Sequence, residues 1–228
     1  MKMQRLAVFD IDGTLMDSQD FIVRAMEGAF AEHGLSAPPR ASILSIVGLS
    51  LYEAVARLIP DQPEKRIARV ADAYKACFIA QRAESGGEAS APLYPGAHSV
   101  LEQLASRPDV RLGVATGKAR RGLDHAFAAH DLDRFFDTRQ TADLHPSKPH
   151  PSMVLRCLEE TGAAPGHAVM IGDTTFDIEM GRAAGVRTLG VTWGYHPAAD
   201  LRAAGADLLV DRFAAVPAAL DELWENAE

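Results

Sequence analysis

The sequence predicts an α/β protein, a doubly wound parallel sheet of Rossmann-like type carrying an inserted, small, all-helical segment. Three observations carry this. From about residue 97 onward, short apolar runs alternate with stretches of helical spacing. One further apolar run, Leu6-Ala7-Val8-Phe9, stands alone at the start. Between them, residues 17 to 84 show helical periodicity and no convincing strand.

Leu6 to Phe9 reads as a buried strand, ending at Asp10 and broken at Gly13. Phe21, Ile22, Ala25, Ala29 and Phe30 then fall at helical spacing, with Ser18 placed to cap the helix and Gly34 to stop it. Pro38-Pro39 opens a segment whose apolar side is Ile43, Leu44 and Val47, interrupted at Gly48-Leu49-Ser50. Leu51 to Ile59 and Pro63 to about Glu84 read as two more helices. Gly86-Gly87 and residues 91–96, Ala-Pro-Leu-Tyr-Pro-Gly, form a turn-rich break taken as a domain crossing.

Beyond it, helices near 97–106, 118–130, 151–161, 175–184 and 198–203 alternate with strands. Those strands are 110–115, one near Phe136, 168–171, 187–191 and 206–210, and a last helix runs to the C-terminus. Gly181 and Gly185 suit the turn from helix to strand. The expected division is a core of residues 1–16 and 91–228 and a helical cap of residues 17–90.

With 228 residues, 47% hydrophobic and 24% charged, the chain can build a real core. A formal net charge of −8 argues against a nucleic-acid surface. The first apolar run is too short for a signal peptide or a membrane span. Cys77 and Cys157 lie far apart and form no C-x-x-C pair, which suits free thiols in a reducing compartment. A cytoplasmic location is the resulting expectation.

Ligands of open parallel sheets bind at the carboxyl ends of the strands. There the sequence places Asp10 and Asp12 after the first strand and Thr116-Gly117-Lys118 after the next. Asp173, with Asp177 a turn on, follows the strand at 168–171, and Lys148 lies in the Ser-Lys-Pro loop before a helix. Clustered carboxylates repel unless a divalent ion offsets them, and oxygen ligands beside a phosphate favour Mg²⁺. Thr116, Gly117 and the amides beyond suit phosphate oxygens at a helix start, with the Thr-Gly pair as its cap. Lys148 can neutralise a phosphoryl oxygen. The residues thus point to metal-assisted phosphate chemistry.

Phe9-Asp10-Ile11-Asp12-Gly13-Thr14-Leu15 resembles the first motif of the haloacid dehalogenase-type hydrolases. Thr116, Lys148 and Gly172-Asp173-Thr174-Thr175-Phe176-Asp177 resemble the other three, in family order across essentially the whole chain. The inserted helices resemble the cap of the phosphoglycolate phosphatase-like branch. The resemblance implies that Asp10 attacks phosphorus to form an aspartyl-phosphate, while Asp12 serves as general acid and then base. It further implies Mg²⁺ on the Asp10 carboxylate, the Asp12 main-chain carbonyl and Asp173, with Asp177 behind, and Thr116 and Lys148 on the phosphoryl group.

The expected reaction is hydrolysis of a small phosphate monoester, in a monomer or homodimer without nucleic-acid or membrane partners. A pyrophosphatase, or a sugar phosphatase or phosphoglucomutase, is the alternative within the family. A non-catalytic phosphate-binding or partner-regulating protein is the alternative outside it. Asp12 argues against a dehalogenase or phosphonatase, and Lys65 and Lys75 do not restore the latter.

Several residues have plainer readings. Asp177 also fits an ordinary helix first-turn acid. Lys118, Arg120 and Arg121 read as a solvated helix face, and His98, His125, His130, His145, His150 and His167 as surface or loop residues. His196, after a strand, is a residue able to approach the site. Gly48, Leu49 and Ser50 are expected to face Asp10 and select the leaving group. Gly86, Gly87 and Gly96 are expected to supply the hinge.

Overall fold

A computed structural model describes residues 4–84 and 91–225. β1 (Arg5–Phe9) is followed by α1 (Gln19–Glu32), α2 (Arg40–Leu44), α3 (Leu51–Leu58) and α4 (Glu64–Glu84). Then come α5 (Ala97–Ala105), β2 (Val110–Thr116), α6 (Arg120–His130), β3 (Thr138–Thr141) and α7 (Ser152–Thr161). The chain continues through β4 (Ala168–Gly172), α8 (Thr175–Ala183), β5 (Arg187–Val191), α9 (Ala198–Ala204), β6 (Leu208–Val210) and α10 (Val216–Glu225).

All six strands pair in parallel, in the order β3-β2-β1-β4-β5-β6. Side chains alternate across a strand, so each buried strand serves both faces of the sheet. Ala7 and Phe9 of β1 join Val169 and Ile171 of β4 on one face, under α5, α6 and α10. Leu6 and Val8 join Ala168 and Met170 on the other, under α7 and α8. This is why the strands read as unbroken apolar runs.

Two strands differ from the sequence expectation. β3 begins at Thr138, two residues beyond Phe136. Phe135 and Phe136 instead fill the core, Phe136 against Phe9 and Phe127. β3 is an edge strand of Thr-Arg-Gln-Thr, so it lacks the apolar pattern of its neighbours. β6 begins at Leu208, and just before it the Asp207 carboxylate accepts from the main-chain N–H and hydroxyl of Thr188.

Helices α1 to α4 share their own apolar cluster. Ile22, Met26 and Phe30 meet Ile43, Val55, Ile67 and Val70 there. Leu49, Ile46 and Ala54 also pack on Phe176 of α8, joining the insertion to the sheet layer. The outgoing and returning segments run side by side. Asp17 N–H donates to Pro92 O, and Tyr94 N–H to Leu15 O, each at 2.9 Å. Gly34, in the left-handed region, ends α1 as expected. Ser18 stands at the N-cap position of α1 as expected, its carbonyl accepting from Ile22 N–H, but its side chain makes no capping bond. Gly96 precedes α5, also with positive φ, whereas Gly86 and Gly87 fall outside the described residues.

Candidate active site

The strand order reverses between β1 and β4, the switch point at whose carboxyl ends ligands of open parallel sheets bind. Phe9 pairs with Ile171, and Asp10 N–H donates to Ile171 O at 3.0 Å. This register sets Asp10 beside the turn that carries Asp173. Asp10, Asp173, Asp177 and Lys148 are all buried, none exposing more than 1% of its surface. Carboxylate oxygens of Asp10, Asp173 and Asp177 lie within 4.8 Å of one another. Lys148 Nζ lies 3.0 Å from Asp10 Oδ1 and 2.6 Å from Asp177 Oδ1.

Three buried carboxylates stand together, and one ammonium, Lys148, contacts two of them, Asp10 and Asp177. Burial, opposed by Lys148 and reinforced by the Asp177 and Asp12 charges, pushes the Asp10 carboxyl up to about 7. Burial and the neighbouring Asp177 and Asp10 charges raise Asp173 well above its usual value. Burial pushes the Lys148 ammonium down, but the Asp10 and Asp177 carboxylates outweigh it and hold the group above its ordinary range.

The carboxylates differ in what holds them. Asp173 Oδ1 accepts from Thr14 Oγ1 at 2.8 Å, and its Oδ2 accepts from Tyr195 N–H at 2.9 Å. Asp177 Oδ2 accepts from the main-chain N–H and hydroxyl of Thr174. Thr174 and Asp177 form a reciprocal capping box for α8, so the plain first-turn reading of Asp177 holds beside its contact with Lys148. Asp10 is different: both carboxylate oxygens are buried, and apart from the Lys148 ammonium beside Oδ1 no described residue donates a hydrogen bond to either. A pair of buried, under-partnered oxygens beside Asp173 has the chemistry of a hard-cation site.

Close main-chain approach shapes the walls. A Cβ on Gly13 or on Gly194 would stand 2.2 Å from atoms of Asp173, so neither position admits a side chain without moving that carboxylate. Gly13 was part of the sequence motif. Gly194 and Tyr195 carry no motif; their only sequence signal is their place after β5 at the same sheet end, next to His196.

The structure brings other expected residues to this end of the sheet. Thr116 is buried at the end of β2, but α6 begins at Arg120 after Ala119, so Thr116-Gly117 is not its cap. Thr116 Oγ1 instead accepts from Lys118 N–H at 3.2 Å. Asp12 is buried, and its Oδ1 accepts from Ser18 Oγ and meets Lys118 Nζ at 2.9 Å. Lys118 is therefore no part of a solvated face. Arg120 fits that description, exposed and paired with Asp124, and Arg121 is exposed as well.

Gly48, Leu49 and Ser50 abut these loops. The Gly48 and Leu49 carbonyl oxygens crowd Gly117, Gly48 faces Thr174, and Ser50 N–H donates to Ser147 Oγ at 2.8 Å. His196 turns elsewhere. Its Nδ1 accepts from Thr175 N–H, and its Nε2 meets Ser45 O at 3.2 Å, bridging α8 to the insertion.

The sequence profile described as haloacid dehalogenase-like hydrolase matches residues 7–191. The chain belongs to that family. It is 34% identical over 225 residues to "Probable phosphatase IndB" of Dickeya dadantii (strain 3937), covering 97% of this chain and 95% of that protein. It is 27% identical to "Pyrophosphatase PpaX" of Bacillus cereus (strain AH820), covering 90% and 91%. A crystal structure described as a predicted phosphoglycolate phosphatase from Haemophilus somnus 129PT superposes with a TM-score of 0.81 at 21% identity. That superposition covers 96% of this chain and 99% of the other, a likeness of fold. Fold and family agree with the resemblance read from the four motifs, and the chain is an enzyme of the phosphatase class. Among the described residues no helix is long and apolar enough to cross a membrane.

Proposed function

We propose that the protein hydrolyses small phosphate monoesters with Mg²⁺ and a phosphorylated Asp10. The observation that carries this is Asp10 itself, a buried carboxylate at a strand end whose oxygens lack full partners while Lys148 stands 3.0 Å away. An Asp10 oxygen attacks phosphorus, forming a P–O bond as the bond to the leaving oxygen breaks. Asp12 gives its proton to the departing alkoxide, then takes one from water as that water attacks the phosphorus of phospho-Asp10. Inorganic phosphate leaves and the Asp10 carboxylate is restored. Lys148, Thr116 and the Gly117 main chain bind phosphoryl oxygens throughout.

Asp10, Asp173 and the Asp12 main-chain carbonyl would hold Mg²⁺, and Asp177 steadies the set from behind through Lys148. The bound ion supplies charge that offsets the carboxylates and the phosphoryl oxygens. All donors are oxygen, as Mg²⁺ prefers.

Residues 17–90 act as a cap over a core of residues 1–16 and 91–228, and Gly48, Leu49 and Ser50 bear on the leaving group. Their contacts with Gly117, Thr174 and Ser147 support this. Two free thiols, Cys77 and Cys157, favour a reducing, cytoplasmic setting. A phosphate anhydride is the second reading of the substrate, favoured by the relative named a pyrophosphatase and by a cation, Lys118, beside Asp12.

The test is steady-state turnover of a chromogenic phosphate ester, with Mg²⁺ and with excess chelator, and acid-quenched trapping of the phosphoenzyme. Activity that needs Mg²⁺ and label that tracks Asp10 are expected. Full turnover in chelator refutes the metal, and label on another residue refutes Asp10. A panel of phosphoglycolate-like esters, sugar phosphates and pyrophosphate, ranked by kcat/KM, then assigns the substrate.

A further inference from the structure

The loop after β5, Trp193-Gly194-Tyr195, touches both the carboxylate Asp173 and the place where the helical insertion joins the sheet. Tyr195 N–H donates to Asp173 Oδ2 at 2.9 Å. The same residue's hydroxyl accepts from Ser18 N–H at 3.2 Å, directly before α1. Its ring packs on the insertion's apolar cluster. Ser18 in turn donates its hydroxyl to Asp12. Trp193 Nε1–H donates to Thr14 O at 3.0 Å, and its ring lies 6.2 Å from that of Tyr94, on the returning segment. Gly194, between them, lets the main chain press against Asp173.

One short loop therefore holds the outgoing segment, the returning segment and a carboxylate of the acidic cluster. A shift of α1 changes the Ser18 position and must either break the Tyr195 hydroxyl contact or pull Tyr195 with it. The main-chain N–H of Tyr195 then moves relative to Asp173. Two sites that bias one element are coupled, and the coupling is reciprocal.

We propose that Tyr195 is a positioning residue that couples the placement of the helical insertion to the orientation of Asp173, so that occupancy of the acidic cluster by a divalent cation tightens the root of α1. This rests on the metal reading above. Tyr195→Phe removes the hydroxyl and keeps the ring and the main-chain N–H, so it isolates the link.

The experiment uses full-length protein with Mn²⁺ as the probe. Binding is read by electron paramagnetic resonance, and amide hydrogen exchange is read in residues 17–24 with and without the ion. In the wild type, Mn²⁺ is expected to slow exchange there by more than about fivefold, the low end of typical coupling. In Tyr195→Phe, Mn²⁺ binding with less than about twofold protection is expected. Loss of Mn²⁺ binding in that variant, with its thermal unfolding unchanged, also supports the link, since only the hydroxyl was removed. Loss of binding with lowered unfolding assigns Tyr195 to general stability and overturns it. So does wild-type protection in the variant, or a wild type that binds Mn²⁺ without protection. A wild type that binds no Mn²⁺ overturns the metal reading, a result distinct from the others.

Discussion

Lys118 Nζ lies 2.9 Å from Asp12 Oδ1, and the two side chains expose only 14% and 12% of their surface. The ammonium also stands 5.4 Å from the centre of the Phe78 ring in the insertion. With Ser18 on the same oxygen, Lys118 fixes where the Asp12 carboxylate points. Lys118→Met is therefore expected to cost about tenfold or more in kcat/KM on esters of aliphatic alcohols, whose leaving oxygen needs a proton. On p-nitrophenyl phosphate, whose leaving group departs without one, the loss should stay under about threefold. Equal losses on both substrates would refute a role through Asp12.

Asp10→Asn keeps the side-chain shape and removes the proposed nucleophile. Turnover should fall by at least about 10³-fold, the scale on which loss of a nucleophile is felt. Circular dichroism should match the wild type. Retention of a few per cent of activity, after exclusion of contaminating phosphatase, would take the nucleophile away from Asp10.

The same variant separates the pH dependence of stability. Asp10 is raised from 3.8 to about 7, mainly by burial, so between those values the folded state binds a proton that the unfolded state has lost. Such a group favours folding below its unfolded value, and that contribution is lost as pH rises through the folded value. In chelator, the Tm of the wild type relative to Asp10→Asn should therefore fall from about pH 4 to about pH 7. Mg²⁺ should reduce the fall. Thermal scans of both proteins across that window decide it, and a relative Tm that climbs with pH would contradict the burial of Asp10 as a charge.

Gly117→Ala tests the seam between insertion and sheet. A Cβ there would stand 2.6 Å from the carbonyl oxygens of both Gly48 and Leu49. Main chain cannot yield as a side-chain tip can, so the seam must open, at about 1–3 kcal/mol of stability. We expect kcat/KM to fall by about tenfold or more through misplacement of the Thr116-Gly117 turn. Mn²⁺ affinity should change by less than about threefold, because Asp10 and Asp173 sit directly after β1 and β4, not on the Thr116-Gly117 turn. Unchanged kinetics would remove that seam from substrate selection.

Much of this protein was fixed by local chemistry that can be read along the chain. Buried parallel strands must be apolar on both faces, so β1, β2, β4 and β5 announce themselves, whereas β3 on the edge does not. Asp10, Asp12, Thr116, Lys148 and Asp173 were legible as candidates because each stands at or just past a strand end or in a loop before a helix, where the fold class puts ligands, and Asp177 lies a turn beyond Asp173 in α8.

What only the tertiary structure decided is which groups share a charge and which carry the load between layers. Lys118 looked like a helix-face lysine and proved to be the partner of Asp12, because β2 delivers the Thr-Gly-Lys turn beside β1. Ser18 stands at the cap position the sequence suggests, yet its hydroxyl donates to Asp12 instead of capping the helix. Gly194 and Tyr195 carried no motif. Their contacts with Asp173 span 21 and 22 residues of sequence and arise only because β5 pairs with β4. Sequence periodicity encodes which face of an element is buried. It does not encode which two elements meet, and a contact between polar groups far apart in the chain exists only once that meeting is made.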